Sequence, residues 1–157
     1  MDLILCETLN SLREVRAVCI AARGTGLPFC ASFVSWSAGR ILSGESLAEA
    51  AHAALEAGAS AVAVNCLPPS AVAACLPILA ATGAPFGVYA NLGAPEGETD
   101  PARQEDCTPE VFAGHAGRWL DAGARMVGGC CGTTSEHIRA VALRVQTGRS
   151  SQGREGS

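Results

Sequence analysis

Three cysteines stand where their thiols could share one metal ion. Cys66 directly follows the apolar run 61–65, and the adjacent pair Cys130 and Cys131 follows a second apolar run near 125–128. If these runs are parallel strands with one strand between them, all three thiols lie at the same edge of the sheet, with strand ends about 10 Å apart. The curvature of a barrel and the reach of the side chains would then bring the sulfurs around a single ion.

Thiolate sulfur is a preferred ligand of Zn²⁺, and three protein thiolates leave the fourth tetrahedral position open, as in catalytic rather than structural zinc sites. Adjacent side chains can bind one ion only where the backbone is irregular, and the flanking glycines supply that freedom: Gly128, Gly129 and Gly132. The residues alone leave other interpretations open. Cys66 could be a small buried apolar residue, and Cys130 with Cys131 could be a vicinal disulfide, a thiol-redox pair or two unremarkable thiols.

The elements that must position these thiols follow a repeating pattern. Short apolar runs without polar alternation, typical of strands buried on both faces, alternate with longer helical patterns. Five such runs are present, at 3–6, 29–35, 61–65, 86–91 and 125–128. Five consecutive βα units predict an α/β protein with a parallel sheet, either part of a (β/α)8 TIM barrel or a doubly wound sheet. In both architectures, function lies at the C-terminal ends of the strands.

Helix boundaries are marked by capping residues. Ser11 with Glu14, and Ser46 with Glu49, match the capping-box pattern. Thr108 precedes a proline at the first helical position. Four glycines are expected to end helices: Gly24, Gly58, Gly83 and Gly123.

Three further segments complete this plan. A helix near 70–82 contains Pro77 and is expected to be kinked there. The last helix is predicted at 135–146, and the polar residues 148–157 are predicted to be a disordered tail. The acidic segment 93–107, rich in proline and glycine, is predicted to be a mobile loop.

The composition argues against several classes of function. The 157 residues carry a net charge of -4, which argues against nucleic acid or an anionic membrane as a partner. All 11 basic residues are arginines, so no Schiff-base lysine is available. Neither a signal peptide nor an apolar run of spanning length is present, so a cytoplasmic protein is expected. In such a protein, eight cysteines favour metal binding or reactive thiols over disulfides.

Two motifs around these cysteines carry a resemblance. The sequence Gly-Gly-Cys-Cys-Gly-Thr-Thr at 128–134, followed by Glu-His-Ile at 136–138, resembles the C-terminal signature of the homocysteine S-methyltransferase family. Asn65-Cys66 resembles the other zinc-ligand motif of that family. Glu7-Thr8 and the Tyr-Ala-Asn sequence at 89–91 also match in order and spacing. The resemblance implies a (β/α)8 barrel with zinc at its C-terminal mouth.

The resemblance also implies roles for individual residues. Zinc would be held by Cys66, Cys130 and Cys131. Glu7 would bind the amino group of homocysteine, and Asn65 and Asn91 would shape the pocket. The homocysteine sulfur, deprotonated at the open zinc position, would attack the methyl group of a small activated donor to give methionine. The sequence does not identify that donor.

The match begins at about the fourth of eight strands. Residues 1–147 are therefore predicted to form the C-terminal part of a homocysteine-binding barrel domain. Either the chain is truncated, or a partner chain or self-association completes the barrel, because five strands cannot close it. Two alternatives to a methyltransferase are a non-catalytic zinc-binding fragment or subunit, and a thiol-redox protein that uses Cys130 and Cys131.

The remaining histidines and cysteines are expected to have no part in chemistry. The histidines fall on predicted helices and are expected to be structural or solvated: His52, His115 and His137. Burial is favoured for Cys6, Cys19, Cys30 and Cys75, and Cys107 falls in the predicted loop.

Overall fold

Strands and helices alternate throughout the computed structural model, which describes residues 1–35, 39–93 and 108–152. The order is β1 (Ile4–Leu9), α1 (Leu12–Arg23), β2 (Phe29–Val34), α2 (Leu47–Glu56), β3 (Ala61–Asn65), a 3-10 turn (Val72–Ala74), α3 (Leu76–Ala80), β4 (Phe86–Ala90), α4 (Pro109–Asp121), β5 (Met126–Gly129) and α5 (Ser135–Gln152). All five predicted strands are present, and the first extends further than its apolar run, to Leu9.

The five strands form one parallel sheet in the order β1-β2-β3-β4-β5. A doubly wound sheet reverses its strand order at a switch point, and this sheet does not, so the doubly wound alternative is wrong. Right-handed crossovers that always advance in one direction place every helix on the same face. The sheet is therefore a segment of a barrel wall, with helices outside and the other face directed inward.

The two faces of the sheet have different cores. The larger core fills the space between sheet and helices and includes Phe29, Phe33, Val62, Val64 and Val88. On the inner face, small side chains are buried beneath two large ones, Tyr89 and Met126: Cys30, Ala61 and Ala63. Part of the inner face of the central strands is thus covered by side chains of the sheet itself. Exposure remains at the β1 edge, where Leu5 is 48% exposed.

The register brings the C-terminal ends of the central strands level. Asn65 at the end of β3 is paired with Tyr89, and Ala90 at the end of β4 is paired with Gly129. Residues that follow β3 and β5 therefore emerge at the same height, on either side of β4. This arrangement determines where Cys66 and Cys130 lie.

The helix caps largely follow the sequence. The Ser11 hydroxyl accepts a hydrogen bond from the Glu14 amide, although the Glu14 carboxylate accepts from Asn10, one residue earlier than in a capping box. Ser46 and Thr108 cap their helices as predicted. Left-handed glycines follow α2, α3 and α4 as expected, at Gly58, Gly83 and Gly123.

Helix α1 ends at Arg23 with Gly24 at its C-cap, as predicted, although Gly24 keeps a right-handed backbone and the left-handed residue is Gly26. Two other predicted helix boundaries are wrong. The segment 70–82 is broken into a 3-10 turn and α3 instead of forming one kinked helix. The Pro77 ring would clash with the carbonyl of Ala73 in a continuous helix, whereas in α3 it occupies one of the first two positions.

The last helix also exceeds its prediction. It continues to Gln152, into the segment predicted to be disordered. No proline interrupts these residues, and the single Gly148 costs a helix only about 1 kcal/mol. Residues 153–157 of the predicted tail, and residues 94–107 of the predicted loop, lie outside the described residues.

Candidate metal centre

Three thiols meet at the C-terminal edge of the sheet. Cys66 leaves β3 and Cys130 and Cys131 leave β5, and their sulfurs converge across the end of β4. The Sγ–Sγ distances are 3.0 Å from Cys66 to Cys130, 3.7 Å from Cys66 to Cys131, and 3.8 Å from Cys130 to Cys131. These three residues are called the thiol cluster below. Their convergence was predicted from the sequence, and their ligation of zinc stays a prediction.

Strand β4 fixes the spacing of the thiol cluster through backbone hydrogen bonds. The amide of Cys66 donates to the carbonyl of Tyr89 at 3.2 Å, and the amide of Cys130 donates to the carbonyl of Ala90 at 2.7 Å. Beyond the strand, the amide of Leu92 donates to the carbonyl of Cys131 at 2.9 Å. Cys66 and Cys130 are thus held against β4, and Cys131 is held against the segment that directly follows it.

The turns that carry the cysteines have unusual backbone conformations. Cys66 has a left-handed backbone (φ 58), which directs its side chain away from the path of β3. At Gly129, a Cβ would lie 2.4 Å from the Thr133 hydroxyl, which itself donates to the carbonyl of Cys130 at 2.6 Å. Gly132 is left-handed (φ 74), and a Cβ there would lie 2.5 Å from the carbonyl oxygen of Gly93. Both positions therefore require glycine.

A hydrogen-bond network next to Cys66 joins three strands, β1, β2 and β3. The side-chain oxygen of the fully buried Asn65 accepts from the Ser32 hydroxyl at 2.8 Å and from the Thr8 amide at 3.2 Å. Its side-chain nitrogen donates to the Thr8 hydroxyl at 2.9 Å. Thr8 is left-handed (φ 64), and these bonds hold it in that strained conformation. Asn65 thus links Glu7, next to Thr8, with Cys66, next to itself.

This network was not anticipated from the sequence. Ser32 is a fully buried hydroxyl within an otherwise apolar strand, and that exception was the available signal. The predicted contact between Asn65 and substrate stays a prediction.

The other predicted pocket residues occupy separate positions. Glu7 is exposed at the end of β1. Asn91 follows β4, and its side-chain oxygen accepts a hydrogen bond from the Gly93 amide, which shapes the turn after the strand. Both lie at the strand ends that carry the thiol cluster, and their contacts with substrate stay predictions.

Tyr89 is a neighbour of the thiol cluster to which the sequence assigned no role beyond its place in the Tyr-Ala-Asn match. Burial raises the pKa of its phenol well above the ordinary value, the Ser32 hydroxyl acts in the opposite direction, and the negative charge of Glu7 raises it further. The buried hydroxyl has no well-oriented hydrogen-bond partner within the described part of the chain. A polar group of this kind on the inner face is available to a ligand or to further barrel strands.

Electrostatics of the thiol cluster favour a cation. Burial, followed by hydrogen bonding and charge repulsion from Cys130 and Cys131, raises the pKa of the Cys66 thiol to about 12. Three thiolates at these distances repel one another, so they ionise together only when a positive ion compensates them. Zn–S bonds of about 2.3 Å in a tetrahedron place sulfurs roughly 3.8 Å apart. Two of the three observed distances match that spacing, and the third must open by roughly 0.8 Å.

The residues expected to be structural have structural positions. His137 accepts a hydrogen bond from the Thr134 amide at 3.1 Å and packs edge-on against Phe112. His52 lies on the exposed face of α2, and His115 packs beside Trp119. Four other cysteines are buried away from the cluster, as predicted: Cys6, Cys19, Cys30 and Cys75. Cys107 lies outside the described residues.

Comparison with known proteins identifies the family. The sequence profile described as homocysteine S-methyltransferase matches residues 1–145. The chain belongs to the homocysteine S-methyltransferase family. It is 35% identical to a selenocysteine Se-methyltransferase of Brassica oleracea, over 95% of this chain and 45% of that protein. It is 32% identical to homocysteine S-methyltransferase 2 of Arabidopsis thaliana, over 95% of this chain and 46% of that protein.

A third relative is a much longer protein. A methionine synthase of Mycobacterium tuberculosis is 30% identical over 92% of this chain, which covers 13% of that protein. This chain spans less than half the length of each of the two plant relatives named above.

Solved structures support the barrel interpretation of the fold. A deoxyribose-phosphate aldolase of Toxoplasma gondii, a TIM-barrel protein, aligns with a TM-score of 0.58 at 13% identity, over 98% of this chain and 69% of that one. A designed, cube-shaped protein cage aligns with a TM-score of 0.53 at 19% identity, over 98% of this chain and 49% of that one. At such identities the likeness concerns the fold alone. Among the described residues, no helix is both long and apolar enough to cross a bilayer.

Proposed function

We propose that this chain provides the zinc-binding, homocysteine-binding part of a methyltransferase that converts homocysteine to methionine. The observation that carries the proposal is the convergence of the three thiols of the cluster, from β3 and β5, at the C-terminal edge of a barrel sheet. Membership of the homocysteine S-methyltransferase family supports the same reaction.

Different residues of this chain would bind the metal ion and the substrate. Cys66, Cys130 and Cys131 hold the ion and leave one side of it free, since no fourth side-chain donor joins the cluster among the described residues. When bound, zinc supplies a Lewis acid that keeps a substrate thiol in the nucleophilic thiolate form at neutral pH. Glu7 provides a carboxylate for the amino group of homocysteine, at the same edge of the sheet.

Positioning is the second contribution of the protein. The Asn65 network holds the Glu7 end of β1 and the Cys66 end of β3 in a fixed relation. A substrate that contacts both Glu7 and the thiol cluster is thereby oriented at two points, which confines its sulfur to one approach to the methyl donor. Asn91 fixes the turn after β4 and so forms another side of the pocket.

We further propose that about three additional βα units complete the barrel, in the same polypeptide or in a partner. Both outer strands, β1 and β5, are paired on one side only within the described chain. This chain covers less than half of each of the two plant relatives, which agrees with a family domain that is longer than this chain. The exposed Leu5 on β1 lies at the edge that such units would cover.

Methionine formation tests this proposal directly. The chain would be assayed alone and joined to the first three βα units of a relative, with homocysteine and each of four donors: betaine, S-methylmethionine, S-adenosylmethionine, and methylfolate with cobalamin. We expect turnover with the joined protein and one donor, loss of turnover in Cys66→Ser, and little or no turnover for the chain alone. Zinc retention without methionine from any donor would contradict the proposal and favour a non-catalytic zinc-binding role.

A selenium acceptor is a second candidate, because the relative with 35% identity is named for selenocysteine. Selenocysteine would therefore be included as a competing acceptor in the same assay. A higher kcat/KM for selenocysteine than for homocysteine would reassign the substrate and leave the roles of the three cysteines unchanged.

A further inference from the structure

We propose that the thiol cluster is also a binding site for trivalent arsenic, taken up as arsenite and held by all three sulfurs. The inference uses the same thiols as the proposed zinc site but does not depend on methyl transfer. It rests on the distances between the sulfurs, on the number and type of donors, and on their exposure.

The short distance between Cys66 and Cys130 fits a pyramidal ion better than a tetrahedral one. The three Sγ–Sγ distances are 3.0, 3.7 and 3.8 Å. In a tetrahedral zinc site, every pair of sulfur ligands is about 3.8 Å apart. Trivalent arsenic carries a lone pair that compresses the angles between its three bonds below the tetrahedral value. Its sulfur ligands therefore lie closer together, and the short contact between Cys66 and Cys130 has to open less than it does for zinc.

The donor set has the number and softness that arsenic requires. Three thiols form the cluster, and no carboxylate or imidazole joins them among residues 1–35, 39–93 and 108–152. Thiolates are soft ligands that select soft, thiophilic ions. Zinc needs a fourth ligand from solvent or substrate, but three sulfurs complete the bonding of trivalent arsenic.

The reaction balances without an oxidant or reductant. Arsenous acid has three As–OH groups, and each reacts with one cysteine thiol: an As–O bond breaks, an As–S bond forms, and the thiol proton leaves with the hydroxyl as water. Three waters are released, and arsenic stays trivalent. Cys131 is exposed, and Cys66 and Cys130 are partly exposed, so a small neutral acid reaches all three.

Preorganisation makes three attachments much stronger than two. The backbone bonds to β4 and to the segment that follows it hold the three sulfurs together before any ligand arrives, so the second and third bonds form within one molecule at high effective concentration. Loss of one thiol is expected to weaken arsenite binding by at least about a hundredfold.

Mass spectrometry of the intact, natively sprayed protein tests the inference. Chelator-treated chain is titrated with sodium arsenite, and we expect one arsenic per chain with the loss of three hydrogens. Cys131→Ser, an exposed position where the fold tolerates a hydroxyl, should bind at least a hundredfold more weakly, and Cys66→Ser should do the same. Cys75→Ala, which removes a buried thiol outside the cluster, should bind like the wild type.

Two results would overturn the inference: loss of two hydrogens or fewer in the wild type, or equal affinity in Cys131→Ser and the wild type. Zinc content, measured on the same preparation before chelation, separates this inference from the proposed function. Arsenic on three thiols in a protein that never retains zinc would refute only the zinc site, and retained zinc without arsenite binding would refute only the arsenic site.

Discussion

Substitution of Gly132 by alanine should disrupt the thiol cluster without touching a sulfur atom. Gly132 has a left-handed backbone (φ 74), and its added Cβ would lie 2.5 Å from the carbonyl oxygen of Gly93 and 3.2 Å from the carbonyl carbon of Leu92. The left-handed conformation costs an alanine about 1–2 kcal/mol. Relief of the overlap requires a displacement of roughly 1 Å to reach an ordinary contact of about 3.5 Å.

That displacement should separate Cys131 from the segment that follows β4. The bond from the Leu92 amide to the Cys131 carbonyl, now 2.9 Å, would be lost, at a cost of about 1 kcal/mol. We therefore expect the free energy of unfolding of Gly132→Ala to fall by about 2–3 kcal/mol. Zinc affinity should fall at least about tenfold, because 1.4 kcal/mol of strain on the bound geometry has that effect.

Gly128→Ala is the matched control. An added Cβ at Gly128 would lie 3.6 Å from the Cβ of Tyr89, an ordinary contact, and its backbone is not left-handed. Urea unfolding of the metal-free chain and competition for zinc with a chromophoric chelator would be measured for both variants. Equal stability and equal zinc affinity in the two variants would refute the claim that close approach at Gly132 positions Cys131.

Three further predictions concern the surroundings of the site. Asn65→Ala loses three hydrogen bonds and should lower the free energy of unfolding by about 3 kcal/mol. Ser32→Ala loses one of these bonds and should lower it by about 1 kcal/mol. Equal losses of stability in urea unfolding would show that Asn65 does not join the strands. Burial raises the pKa of Cys30 to about 12 from an ordinary 9.0, so its contribution to stability is full below pH 9 and is lost as the pH rises toward 12. In Cys30→Ala, the free energy of unfolding should decline less steeply between pH 8 and pH 12 than in the wild type. The same dependence on pH in both proteins would contradict this role of the Cys30 thiol. Glu7→Gln should weaken homocysteine binding about ten- to a hundredfold in calorimetry while zinc content stays constant, and unchanged affinity would remove Glu7 from the pocket.

The sequence pattern predicted five parallel strands and the meeting of the thiols, whereas the choice of a barrel over a doubly wound sheet came from the family resemblance. Short apolar runs identify buried parallel strands whatever their neighbours, and the glycine-flanked pair Cys130 and Cys131 stands directly after such a run. Once β3 and β5 are placed on either side of one strand, their C-terminal residues must share an edge. The convergence of Cys66 with the pair follows from that geometry.

Sequence patterns could not predict contacts between residues that are far apart in the chain. Asn65 bonds to Thr8, 57 residues away, and to Ser32, 33 residues away, and no local pattern specifies either partner. Gly24 ends α1 as predicted, but no local pattern shows that Gly26, rather than Gly24, adopts the left-handed conformation after the helix. Likewise, Pro77 predicts an interruption, but whether a helix kinks or breaks depends on the packing around it.

X-ray absorption at the zinc edge would test the central claim most directly. In the chain loaded with one zinc, we predict three sulfur neighbours at about 2.3 Å, two in Cys66→Ser, and four in the wild type after homocysteine is added. The unreactive analogue homoserine, which lacks the thiol, should leave the count at three. A wild-type site with fewer than three sulfur neighbours, or one whose sulfur count does not rise with homocysteine, would contradict the assignment of these cysteines to a zinc centre that accepts the substrate thiol.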